Sequence, residues 1–326
     1  MSQGVTAAVL YGVVSASMVF ANKAVFASLH FPFPLVVLLL QMCVTAACLP
    51  LLTVWTAGTI ELPRLSFGLA RRFALPSALY CANVGMGLTS LGALSIPVYQ
   101  VLKRLTPLAS LVLASLVLGK RTTKAVAASC CAIVLGSMLV ANGDVRFDGV
   151  GYTLALGSVV CQSLYLTLVQ QQGQSGGDFS SFGVLFVNSV NCIPLLAIAT
   201  LLNGEAAGAL AHPQLAALEP LFLAKLGLLL ASGGALNYLL FLCTILNSAL
   251  TTCIVGACKA VIVTALGFFV FGGQPLTRSM ALGVALNTTG GVMYIFAKRK
   301  RSSGGGNVAK RPGLVLRTPA EGSALA

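Results

Sequence analysis

The stretch Asn247–Gly273, NSALTTCIVGACKAVIVTALGFFVFGG, is apolar enough to cross a bilayer, yet it holds one lysine, Lys259, close to its middle. At the rise of an α-helix, Lys259 lies roughly 15 Å from the end near Ala249, about half of a ~30 Å hydrocarbon core. A lysine stem reaches only a few ångströms, so the ammonium cannot easily snorkel to either surface. A cation at that depth costs at least ~2.5–3.5 kcal/mol on insertion scales and marks a functional site by default.

The chain around this stretch has 326 residues, of which 57% are hydrophobic and 8% charged, with a mean hydropathy of +0.93. Soluble proteins carry roughly 25% charged residues, so the composition reads as an all-α integral membrane protein. The net charge of +13 calls for no nucleic-acid partner, because most of it falls in loops and the tail, where the positive-inside rule places it. All ten cysteines lie in apolar segments without a CxxC pair, which argues against a zinc site or a disulfide framework. No metal or cofactor is expected. Val5–Ala21 has no basic segment before it and reads as a first spanning helix rather than a cleavable signal.

Ten apolar spans follow at about 5–26, 32–56, 73–93, 96–118, 124–142, 150–170, 181–202, 220–243, 249–271 and 278–297. The tail from Lys298 opens with a KRKR run followed by SSGGG, and 299–326 reads as a disordered basic segment. With the N-terminus in the cytosol, the cytosolic side receives Arg64, Arg71, Arg72, Lys120, Arg121, Lys124 and the seven basic residues of the tail, thirteen of the twenty. Both termini are therefore expected in the cytosol.

The two halves, about 1–142 and 150–298, resemble one another. Arg104 precedes Gly119 by 15 residues and Lys259 precedes Gly273 by 14; GSMLVA at Gly136 and GVMYIFA at Gly291 are 155 apart. Five spans per half make these inverted repeats, with substrate expected near the midplane between them.

The charges left inside the spans are Lys23, Lys103, Arg104 and Lys259, and no carboxylate or histidine falls in a span core. A proton-coupled carrier ordinarily needs such a group. Buried cations without protein counter-ions need an anion to offset their desolvation, and phosphate suits Lys and Arg. Lys23, after Asn22 at the end of a span, could equally reach the interface. Lys103 and Arg104 point about 100° apart on a helix, so at most one faces a central cavity. Gly256 and Ala257 would permit close helix approach or a local break beside Lys259.

Taken together, Asn22-Lys23, IPVYQVLKRLTPL (Ile96–Leu108), FGVLFVNSVNCIPLL (Phe182–Leu196) and NSALTTCIVGACKA (Asn247–Ala260) resemble the nucleotide-sugar transporters of the drug/metabolite transporter superfamily. The chain is most similar to the branch holding UDP-glucuronate/UDP-N-acetylgalactosamine transporters. The resemblance implies exchange of a cytosolic nucleotide sugar for a lumenal nucleoside monophosphate across a Golgi or ER membrane. It leaves room for a homodimer in contact with membrane lipid. It also implies phosphate binding by Lys259 with Lys103 or Arg104. Base, ribose or sugar contacts would come from Asn188, Ser189, Gly256, Ala257 and Tyr99.

GDP-mannose carriers show Phe-Tyr-Asn-Asn on the seventh helix, where this chain has Phe186, Val187, Asn188 and Ser189. On the ninth they show Gly-Ala-Leu-Asn-Lys, where this chain has Gly256, Ala257, Cys258, Lys259 and Ala260. These departures favour a uridine nucleotide and leave the sugar open at Ala260. A phosphorylated-metabolite exchanger of the triose-phosphate type and a membrane scaffold or trafficking protein are the competing readings. An enzyme is disfavoured because no catalytic set converges in the spans. The end GSALA carries neither a KDEL-type nor a dilysine signal, which points toward the Golgi.

Overall fold

The computed structural model describes residues 3–29, 31–56, 62–94, 99, 102–119, 122–140, 148–174, 180–270 and 278–303. These form helices α1 (Gln3–Leu29), α2 (Pro34–Trp55), α3 (Phe67–Ala93), α4 (Thr106–Leu118), α5 (Lys124–Val140), α6 (Gly149–Gln174), α7 (Ser181–Leu202), α8 (Glu205–Leu210), α9 (Pro213–Ala216), α10 (Pro220–Leu246), α11 (Ala249–Val270) and α12 (Arg278–Ser303). No strand occurs among the described residues. The ten longer helices coincide with the ten apolar stretches of the sequence. Pro34–Trp55, Gly149–Gly173, Ser181–Leu202 and Pro220–Leu246 are each long and apolar enough to cross a membrane unaided.

Polarity is distributed the opposite way to a water-soluble bundle. Trp55, Phe67, Leu202, Val54 and Leu116 point outward, whereas Ser15, Ser77, Ser110, Ser158, Ser163, Thr167, Gln170, Asn188 and Asn287 are buried. Water has no reason to select that pattern; hydrocarbon outside and polar contacts inside do. Helical hydroxyls find acceptors on their own helices, as in Thr45 to the Gln41 carbonyl and Thr167 to that of Ser163.

Two boundaries differ from the sequence reading. Span 96–118 is not one continuous helix: Leu102 and Lys103 are helical, Arg104 and Leu105 form a turn, and α4 starts at Thr106. Pro107 has no N–H for the Lys103 carbonyl four residues earlier, and its ring crowds that carbonyl. The Thr106 hydroxyl takes the donor's place, and Leu105 closes a tighter bond to Leu102. At the other end α12 runs through Lys298–Arg301 to Ser303, because Lys and Arg are good helix formers and the first strong breaker is Gly304. The remainder of the tail, 304–326, lies outside the described residues.

The long helices pack as α5 on α12, α3 on α6, α1 on α10, α2 on α7, α4 on α6, α1 on α11, α3 on α7, α2 on α10 and α4 on α11. Exchange each of the first five long helices with the one five places later, and this pattern maps onto itself. The α5–α12 crossing is backbone against backbone: a Cβ on Gly136 would sit 2.5 Å from the Asn287 nitrogen and 2.6 Å from the Gly283 oxygen. Asn287 is buried there and donates to the Ile133 carbonyl at 2.9 Å.

Candidate functional site

The break before α4 aims Lys103 inward, between α3 and α6. Its ammonium donates to Asn83 Oδ1 at 2.9 Å, to Gln162 Oε1 at 3.3 Å and to Ser158 Oγ. The Tyr99 ring completes the cradle, 5.9 Å from Nζ to centroid, a cation–π distance. Ser158 in turn donates to Asn83, whose Oδ1 and main-chain oxygen both lie at 2.9 Å. Space for this comes from Gly87, one turn beyond Asn83. A Cβ there would lie 3.0 Å from the Tyr99 hydroxyl, 3.3 Å from Ser158 Oγ and 3.8 Å from Lys103 Nζ. An ammonium has three donors, and all three are placed on neutral oxygens. Arg104, one position further along the turn, is 5% exposed.

Lys259 stands halfway along α11 and reaches α1, where it donates to Ser15 Oγ at 2.6 Å. That is its one hydrogen bond among the described residues. Ser15 continues a buried stripe of α1 that includes Ala7 and Tyr11. Gly256 faces the same α1 surface: a Cβ added there would find the Tyr11 hydroxyl as its nearest neighbour, at 3.9 Å. α11 passes through Gly256 and Ala257 without a break. Ala257 turns the other way, into an apolar cluster with Val126, Cys130, Ile133, Ile254 and Tyr294. The helix is anchored at its start by Gln170 Oε1, which accepts from the Ala249 N–H at 2.8 Å. One turn further on, Cys253 lies 3.0 Å from Ser110 of α4.

On α7, Asn188 and Ser189 are both buried. Asn188 Oδ1 accepts from Ser77 of α3 at 3.0 Å. Its Nδ2, and the hydroxyl of Ser189, have no hydrogen-bond partner among the described residues. Tyr80 of α3 and Tyr165 of α6 meet edge to face at 5.5 Å, with Asn237 of α10 donating to the Tyr80 hydroxyl at 3.3 Å. Asn22 and Lys23 fall within α1, but their side chains lie outside the described residues.

The sequence-derived residues therefore divide. Lys103 and Tyr99 come together, and Gly256 and Lys259 both address α1. Asn188 and Ser189 lie on α7, where Asn188 bonds Ser77 of α3 rather than either lysine. Sequence reasoning missed the acceptors Asn83, Ser158, Gln162 and Ser15, and the opening left by Gly87. Among the described residues no group of histidines, cysteines and carboxylates could hold a metal ion.

Comparison with known proteins agrees with this architecture. The Triose-phosphate Transporter family matches residues 3–295. The chain is 39% identical over 301 residues to the UDP-galactose/UDP-glucose transporter 7 of Arabidopsis thaliana, covering 92% of this chain and 91% of that protein. It is 28% identical over 306 residues to a UDP-N-acetylglucosamine transporter of the same plant, covering 91% and 88%. Against the UDP-sugar transporter sqv-7 of Caenorhabditis elegans it is 29% identical over 303 residues, covering 92% and 90%. A crystal structure shares the fold at a TM-score of 0.70 and 14% identity, covering 92% of this chain and 99% of that one. With the family match running through nearly every helix that builds the two lysine environments, the chain belongs to the Triose-phosphate Transporter family.

Proposed function

We propose that this protein is a nucleotide-sugar transporter that carries a UDP-sugar from the cytosol into the Golgi or ER lumen and returns a uridine monophosphate. The observation that carries the proposal is Lys259: a cation halfway along an apolar helix, with two of its three donors unused among the described residues. No carboxylate lies within any long helix to neutralise it. A phosphate group supplies the missing charge and acceptors together. The relatives named above, all described as UDP-sugar transporters, support the uridine nucleotide.

In this reading ten helices cross the membrane as two inverted five-helix repeats with both termini cytosolic. The exchange-symmetric packing supports the repeats. The diphosphate binds at Lys259, with Lys103 or Arg104 adding positive potential from the other half. The unused Asn188 amide and Ser189 hydroxyl suit the base or ribose. An empty site leaves Lys259 under-solvated, which disfavours return without cargo and couples the two fluxes.

The test is uptake of labelled UDP-galactose, UDP-glucose and UDP-N-acetylglucosamine into proteoliposomes loaded with UMP. Counterflow is expected for at least one of them, with inhibition by external UMP and none by inorganic phosphate. The family's own description offers a second reading, exchange of small phosphorylated metabolites. Uptake blocked by inorganic phosphate and indifferent to UMP would establish that reading instead.

A further inference from the structure

The two lysine environments are related by the helix exchange but are not occupied alike. Lys103, just before α4, reaches between α3 and α6; by the helix exchange the equivalent neighbours of Lys259 on α11 are α10 and α1, and both pack against α11. In the first case both neighbours bind the ammonium, through Asn83 of α3 and through Ser158 and Gln162 of α6. In the second only α1 does, through Ser15. The α10 side is empty-handed, although the sequence places the matching residue there. Ala70-Arg71 of α3 and Ala224-Lys225 of α10 are 154 apart, and the same offset carries Asn83 onto Asn237. Lys103 and Lys259 are 156 apart, and Lys103 rather than Arg104 is the residue whose ammonium meets the acceptors on α3 and α6.

Asn237 is occupied elsewhere. Its amide donates to the Tyr80 hydroxyl of α3 at 3.3 Å, across the boundary between halves. Its carbonyl oxygen makes no hydrogen bond among the described residues, although the side chain is partly buried. Asn83 shows what such an oxygen does when its half is closed around a lysine.

We propose that Asn237 is the second-half counterpart of Asn83, and that the transport cycle passes an ammonium-holding role from the Asn83–Lys103 pair to an Asn237–Lys259 pair as the bundle changes the face it opens. In the present state Lys103 is held by protein and Lys259 is available to cargo. In the opposite-facing state Asn237 leaves Tyr80 and holds Lys259, while Lys103 leaves its cradle. Asn237 is thus a positioning residue. The proposal rests on the inverted-repeat reading above, and it requires no particular cargo.

The test is hydrogen–deuterium exchange of the cargo-free protein in lipid nanodiscs, comparing backbone peptides at the two membrane faces. The variants are Asn83→Ala, Tyr80→Phe and Asn237→Ala. Losing one hydrogen bond to a cation shifts a two-state ratio by about tenfold. Asn83→Ala, which loosens the present state, and Tyr80→Phe, which frees Asn237, are expected to move exchange at the two faces in one common direction. Asn237→Ala is expected to move it in the opposite direction, because it removes the holder needed in the other state. Were Asn237 important only for its bond to Tyr80, Tyr80→Phe and Asn237→Ala would act alike, and that result overturns the proposal. Should Asn237→Ala fold poorly, Asn237→Asp serves: a carboxylate there pairs with Lys259 and must act in the same sense as Tyr80→Phe. Because no nucleotide is added, the outcome is independent of whether a UDP-sugar is carried.

Discussion

Around Lys103 the protein supplies what water would: three oxygen acceptors and an aromatic face. Around Lys259 the described residues supply one serine hydroxyl. Lys103 directly precedes α4, which packs on the α11 helix of Lys259 across the two halves, so the two lysines stand at related places in the fold. The contrast is between a cation solvated by its own protein and a cation left to be solvated by something else. The first kind of group stabilises the bundle that holds it. The second kind is a liability to the empty protein, and a liability of that size is the better candidate for binding cargo.

Replacing each lysine breaks or sharpens that contrast, and Lys259 carries the larger effect. Lys259→Ala removes a charge-assisted contact to phosphate worth about 1.5–3 kcal/mol, so uptake of UDP-sugar by UMP-loaded vesicles is expected to fall about 10- to 100-fold. Thermal stability of the empty protein is expected to stay level or rise, since a poorly solvated cation has gone. Unchanged uptake by folded protein would remove Lys259 from the site.

Lys103→Met is expected to do the reverse in kind. Asn83 Oδ1 keeps only Ser158, Gln162 Oε1 loses the ammonium that donates to it, and an unmet acceptor inside a bundle costs about 1–3 kcal/mol. The melting temperature in detergent should drop by several degrees. If the two variants lost stability and uptake in the same proportion, the division of labour between the lysines would be wrong.

Much of this is legible in the residues alone. A lysine in the middle of a hydrophobic stretch is conspicuous because so few residue types are tolerated there, and ten apolar stretches of spanning length are hard to read as anything else. The cradle is not legible. Asn83, Ser158, Gln162 and Ser15 come from three helices far apart in sequence, and small or polar residues in spans are as often packing devices as ligands. Gly87 is invisible for the same reason: its role is a space, and a space has no pattern. The break before α4 can be read, since Pro107 removes the partner of the Lys103 carbonyl; a count of apolar residues alone runs across it. Ala257 illustrates the converse error. Sequence proximity to Lys259 suggests a shared site, whereas two positions along a helix is about 200° around it, and Ala257 packs in an apolar cluster.

Gly87→Ala probes the space itself. A methyl group 3.0 Å from the Tyr99 hydroxyl and 3.3 Å from Ser158 Oγ must push one of them off Lys103. The expected loss of stability is about 1 kcal/mol, smaller than for Lys103→Met because the flexible ammonium can follow. The same melting measurement checks it, and a gain in stability would mean that the cradle is looser than its distances imply.

The smallest effect on folding is expected at Gly256, and it decides the most about cargo. Among the described residues an added Cβ there meets nothing nearer than the Tyr11 hydroxyl at 3.9 Å, so no described helix packing requires the glycine. Within a continuous helix, Gly256→Ala is expected to raise stability by up to about 1 kcal/mol through backbone propensity. The protein therefore has no internal reason to keep a glycine facing α1 one turn before Lys259, and close approach of a ligand to the α11 backbone is the remaining physical use for it. If cargo lies along that face, the same methyl group that stabilises the empty protein will weaken uptake, raising KM while the melting temperature climbs. Uptake that is unchanged alongside higher stability would move the nucleotide away from Gly256, toward the α3–α7 side where the Asn188 amide and Ser189 hydroxyl remain unmet among the described residues.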